Sequence, residues 1–167
     1  LSRMNVKIIF RALGFLLLVE GVAMLLSFVV SLIYQEYDQW AFFISSGLNM
    51  IIGGLTIYLT RNTKKDIGRH EGYIIVTSVW VVFSFFGSLP YVISGAIPNF
   101  TNAVFETISG FSTTGASILD NIESLPHGIL FWRSITQWLG GMGIIVLSLA
   151  ILPVFGIGGM QLFMAEV

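Results

Sequence analysis

Between two long apolar runs lies Glu106-Thr107-Ile108-Ser109-Gly110-Phe111-Ser112-Thr113-Thr114-Gly115-Ala116-Ser117, a stretch dense in hydroxyls and glycine. The chemistry these residues offer is coordination, not catalysis. Thr107, Ser109, Ser112 and Ser117 are hydroxyl nucleophiles only if a base stands within reach. The histidines, His70 and His127, fall on opposite sides of the expected membrane, so no base is placed to activate a serine and no enzyme activity is expected. The stretch is too short to cross a bilayer twice as regular helix. Irregular backbone at membrane depth survives only when it is buried in protein or lines a watery cavity. The spacing therefore predicts a re-entrant hairpin: a short helix dives in, turns at Gly110-Phe111, and Thr113 to Ser117 returns extended. Carbonyls of Thr113, Thr114 and Gly115, with Ser112 and Ala116 beside them, would then replace the water around a dehydrated monovalent cation. Gly115 matters most, because glycine alone takes φ > 0 freely and keeps its neighbours' carbonyls aimed at an ion.

A loop of that kind needs helices to hold it. The chain is 55% hydrophobic and 10% charged, with mean hydropathy +0.87, which excludes an ordinary soluble domain. A net charge of −1 leaves no basic surface for nucleic acid, and the lack of cysteine excludes disulfides and thiolate chemistry. Four runs meet the requirement of about 20 mostly apolar residues for a membrane span: Ala12–Ile33, Ala41–Thr60, Gly72–Ile93 and Ile129–Phe155. The first is too long for a signal peptide and reads as a retained span. The pore loop sits between the third and fourth. The fold class expected is an all-α polytopic membrane protein, a two-helix hairpin over 1–66 followed by one helix–pore loop–helix repeat over 67–167, with the re-entrant segment at 100–118.

Charge sets the orientation. Arg3, Lys7 and Arg11 precede span one, while Arg61, Lys64, Lys65 and Arg69 separate spans two and three. The positive-inside rule puts these clusters, and with them the N-terminus, in the cytoplasm. Glu36, Asp38, Asp120 and Glu123 then face outward, and Arg133 alone breaks the pattern. Tyr34 to Trp40 closes the hairpin with interfacial aromatics, and Gly47, Gly53 and Gly54 permit close helix approach. Pro90 should bend or end span three, and Thr101 or Asn102 should cap the pore helix. That helix is about ten residues, roughly 15 Å, and its C-terminus presents the negative dipole end to a cation. Glu20 lies well inside span one, where a carboxylate is either functional or a packed or water-facing group. The hairpin's place outside the pore repeat favours packing. Glu106, on the pore helix, and Arg133, near the outer end of span four, are expected to pair and brace the filter. The glycines at 140, 141 and 143 lack nucleotide-motif spacing and read as a flexible or closely packed point in span four. Those at 156, 158 and 159 read as a cytoplasmic exit linker.

Gly110-Phe111-Ser112-Thr113-Thr114-Gly115-Ala116-Ser117 resembles the first pore loop of the Trk/Ktr/HKT superfamily of potassium transporters, TrkH type. Trp132 to Ile144, and Gly158-Gly159-Met160-Gln161-Leu162, resemble the second helix of that pore repeat and the segment after it. The resemblance implies potassium uptake across the bacterial inner membrane, with potassium as the transported ion and no cofactor. It implies four pore repeats closing one filter, so that this chain is the N-terminal portion of a longer transporter and supplies a quarter of the filter. It also implies a homodimer and a cytoplasmic nucleotide-binding regulatory subunit (TrkA-like). The alternative is a non-conducting membrane module that packs with partner subunits. Potassium channels repeat Thr-Val-Gly-Tyr-Gly. Here Ala116 and Ser117 replace the aromatic and the second glycine, so selectivity over sodium is expected to be less strict.

Overall fold

The computed structural model describes residues 6–61 and 69–151, and among these the regular structure is entirely helical. α1 (Val6–Tyr34) and α2 (Gln39–Leu59) form the hairpin. α3 (Arg69–Gly87), α4 (Leu89–Ser94), α5 (Phe100–Phe111) and α6 (His127–Ile151) form the repeat. Three described segments are long and apolar enough to cross a membrane: Val6–Tyr34, Gln39–Leu59 and Ile74–Ser94. The fourth expected span begins as α6, about 37 Å of helix at 1.5 Å per residue. Its end past Ile151, the exit linker, Arg3, and residues 62–68 with Lys64 and Lys65 lie outside the described residues.

The hairpin is built inside out relative to a soluble protein. Its contact face buries Glu20, Ser27, Ser31, Ser45 and Asn49 completely, while Ile33 is 71% and Ile51 67% exposed. Lipid accepts apolar surface freely, so polar groups go to the helix–helix seam. The helices meet most closely at Gly14 and Gly53, where a Cβ on either would stand 2.9 or 2.7 Å from the other's carbonyl oxygen. Gly53 thus has the packing role expected of it. Gly47 and Gly54 face open space, so their expected close approach is not seen among these residues.

Pro90 breaks the third span as expected. It occupies the first turn of α4, where its missing N–H costs nothing, and the chain turns at Ser88. Gly95 ends α4 at φ 75 in the left-handed region. The cap of α5 differs from expectation. Asn99, extended at φ −80 and ψ 118, accepts a hydrogen bond from Asn102 N at 3.2 Å. Thr101 and Asn102 are already helical, and an extended residue is required at the cap. The core joins both units: Met24 and Phe42 of the hairpin pack with Tyr91, Ala103, Ile129 and Trp132. Glu20 belongs to this junction. Its Oε2 accepts from Asn49 Nδ2 at 3.3 Å, and a Cβ on Gly87 would stand 2.8 Å from its Oε1 and 2.9 Å from Thr107 Cγ2. The hairpin therefore meets the repeat at Gly87, where the end of α3 lies against the pore helix.

Candidate functional site

α5 runs one residue further than the sequence suggests. Gly110 and Phe111 stay helical, and the turn comes at Ser112-Thr113. The reason is packing. A Cβ on Gly110 would overlap Thr136 Oγ1, so this glycine allows α6 to approach instead of allowing a turn. The helix closes with Thr113 N donating to Gly110 O at 3.0 Å and Thr114 N to Ser109 O at 3.1 Å. This is the Schellman pattern, which places its first residue past the cap in the left-handed region. Thr113 takes that place at φ 56. A β-branched residue there is strained by about 1–3 kcal/mol, and such strain gathers at functional sites. The expectation of a strand-like return from Thr113 is corrected accordingly.

Beyond the turn, Gly115 has φ 76, as the need for a glycine predicts. Left-handed backbone thus recurs at 113 and 115 within one irregular segment. Ser112 is half-buried and Thr113 to Ile118 are exposed. Ser112 Oγ and Thr114 Oγ1 share a hydrogen bond of 2.8 Å. Among the described residues, no backbone carbonyl from Ser112 to Ala116 accepts a hydrogen bond. These exposed carbonyls are free of protein partners, and carbonyl oxygens are the ligand type that can replace the water around a monovalent cation.

Glu106 holds this segment in place. Its side chain is 1% exposed. Oε1 meets Arg133 Nη2 at 2.6 Å and Nε at 2.8 Å. Ser117 Oγ donates to both carboxylate oxygens at 3.1 Å, and Ile118 N donates to Oε2 at 3.2 Å. The sequence brings out the pairing of 106 with 133 but not the bonds from Ser117 and Ile118 of the returning loop. One carboxylate thus joins the pore helix, α6 and the far side of the loop.

α6 closes the site from behind. A Cβ on Gly140 would overlap Phe111 O and stand 2.6 Å from its carbonyl carbon. Gly140 is therefore the closely packed point, whereas a Cβ on Gly143 would meet nothing within 4 Å. Trp132 Nε1 donates to Gly87 O at 2.9 Å, fixing α6 against the end of α3.

Taken together, a half-length helix, a left-handed turn, an unpaired carbonyl run and flanking membrane-long helices define an all-helical, pore-loop type of membrane protein. The comparisons identify the lineage. The family described as "TrkH: Cation transport protein" matches residues 38–167, and the chain belongs to that family. It is similar to the Trk system potassium uptake protein TrkH of Escherichia coli K12, 42% identical over 165 residues, covering 98% of this chain and 34% of that protein. It is 39% identical to the Halomonas elongata protein of the same description, again over 98% of this chain and 34% of the relative. The crystal structure of the potassium transporter TrkH from Vibrio parahaemolyticus superposes with a TM-score of 0.85 at 39% identity, over 98% of this chain and 35% of that one. The chain spans about a third of the length of the relatives it matches.

Proposed function

We propose that this chain forms the N-terminal part of a potassium-uptake protein of the bacterial inner membrane and supplies one quarter of its selectivity filter. The observation that carries the reading is the irregular segment that follows the half-length helix, with left-handed residues at 113 and 115 and its far side held by Glu106 and Arg133. Three further pore repeats complete the cage, because one repeat surrounds an ion on one side only. Potassium is the ion, held by carbonyls of Thr113, Thr114 and Gly115, and Glu106 and Arg133 support the loop. The chemistry is displacement of water from an ion, with no covalent step and no cofactor. The boundary between hairpin and repeat falls near residue 66, both ends of the hairpin face the cytoplasm, and the loop opens outward. A homodimer and a cytoplasmic nucleotide-binding subunit complete the assembly. Support for the ion comes from the named activity of relatives at about 40% identity.

The test is Gly115→Ser in the full-length protein. A Cβ at Gly115 meets nothing within 4 Å here, so the cost is conformational and not a clash within this repeat. Left-handed backbone disfavours a side chain by about 1–2 kcal/mol. The potassium-over-sodium flux ratio in liposomes is expected to fall roughly tenfold, equivalent to about 1.4 kcal/mol. A wild-type ratio in well-folded Gly115→Ser protein removes Gly115 from the filter.

A further inference from the structure

The N-terminus of α6 has no cap of its own. Pro126 holds the capping position, since its carbonyl accepts from Leu130 N at 3.0 Å, yet a proline side chain has no acceptor for the first unpaired N–H groups of a helix. The hairpin turn supplies what is missing. Glu36 Oε2 accepts from His127 N at 2.6 Å, and Glu36 Oε1 pairs with His127 Nδ1 at 2.8 Å. Tyr34 stacks flat on the His127 ring, with centroids 3.8 Å apart. Gln35, between them, takes the left-handed φ of 53 that ends α1, with Gln35 N donating to Leu32 O at 3.2 Å and Glu36 N to Ser31 O at 3.1 Å. Asp38 is fully buried beside this grip, hydrogen-bonded by Ser31 Oγ, and a Cβ on Gly128 would overlap its Oδ2. Burial pushes the Asp38 carboxyl above its ordinary range and the nearby Glu36 charge adds to it, while the Ser31 bond and a weaker backbone bond from Ile129, in the first turn of α6, oppose it. Glu36 and Asp38 thus both face the positive end of α6, with Glu36 on its first amide.

The residue that braces the filter segment lies six residues further along α6. From His127 to Arg133 is about 9 Å of helix, and Arg133 holds Glu106, which holds Ser117 and Ile118. An exposed ion pair adds little to stability. His127 is 52% exposed, so this pair's value lies in position. We propose that the hairpin turn positions the pore: Glu36, through His127, caps α6 from outside the repeat and thereby sets Arg133, Glu106 and the returning filter segment. Glu36 is a positioning residue, remote from the ion. This inference rests on the filter reading above.

The experiment uses the full-length protein in liposomes with Glu36→Ala, Glu36→Gln and His127→Asn, and Gly115→Ser as a reference. Potassium-over-sodium flux and amide hydrogen exchange are read together. Glu36→Ala is expected to lower the flux ratio roughly fivefold and to speed exchange both at residues 127–130 and at 117–119. Glu36→Gln keeps an acceptor for His127 N and should recover most of the ratio and protection. His127→Asn, which loses only the ring contacts, should shift both in the same direction by less. Faster exchange confined to 127–130, with a wild-type flux ratio, makes the cap a local feature and overturns the proposal. Should Glu36→Ala fail to fold, His127→Asn decides by the same two readings. A wild-type ratio in Gly115→Ser instead sinks the filter reading, so the two failures are distinct.

Discussion

Arg133→Met destabilises the full-length protein by about 3–5 kcal/mol, and Glu106→Gln by less. Breaking a buried pair is costly because it strands the remaining charge. The two partners are not equally buried: the Arg133 side chain is 16% exposed and Glu106 only 1%. Without Arg133, Glu106 keeps two neutral donors, Ser117 Oγ and Ile118 N, against a carboxylate in a dry site. Without the Glu106 charge, Arg133 can extend toward water along its own stem. A double-mutant cycle should give a coupling of about 1–3 kcal/mol, the range for residues in one network. Exchanging the two residues should recover little, because an arginine at 106 offers Ile118 N a second donor. Additive losses in thermal unfolding, or equal costs for the two single variants, contradict this arrangement.

Gly140→Ala is the second large effect expected. The added carbon would overlap the Phe111 carbonyl oxygen and stand 2.8 Å from Phe111 Cα, so backbone and not a pliant side chain must move. Overpacking of this kind costs about 1–3 kcal/mol or more. Displacing Phe111 also displaces Ser112, where the unpaired carbonyls begin, so flux selectivity should fall along with stability. Two neighbours serve as controls. Gly141→Ala makes an ordinary contact with Thr113 Cγ2 at 3.9 Å, and Gly143→Ala meets open space. Replacing an unstrained helical glycine by alanine gains about 0.5–1 kcal/mol, so Gly143→Ala should be neutral or stabilising. Indistinguishable behaviour of Gly140→Ala and Gly143→Ala in thermal stability and flux would contradict the packing described.

The architecture was legible in the sequence because lipid imposes a simple rule, and among the described residues the long apolar runs became helices, the third in two pieces parted at Ser88. Proline at 90 was legible because its ring fixes φ and removes a donor, and glycine at 115 because a cation-facing loop needs a residue that enters the left-handed region without a side-chain penalty. Pairing of Glu106 with Arg133 followed from the cost of burying either alone. What escaped was set by contacts between distant segments. Gly110 reads as a turn until Thr136 is seen against it, and Thr113 shows no sign of left-handed backbone until the helix end is drawn. Of the glycines at 140, 141 and 143, one alone touches backbone, and no local pattern separates it from the others. Glu36 and His127 lie 91 residues apart in the chain. A proline at the cap of a helix that still needs an acceptor was the one available hint.

The central claim is that an ion sits against the backbone of Thr113, Thr114 and Gly115. Rubidium answers to the same chemistry as potassium and scatters anomalously, so crystals of the full-length protein grown in rubidium test it directly. The account predicts an anomalous peak coordinated by carbonyl oxygens of those three residues, weakened or lost in Gly115→Ser. A rubidium peak in the pore with none of those carbonyls against it would contradict it.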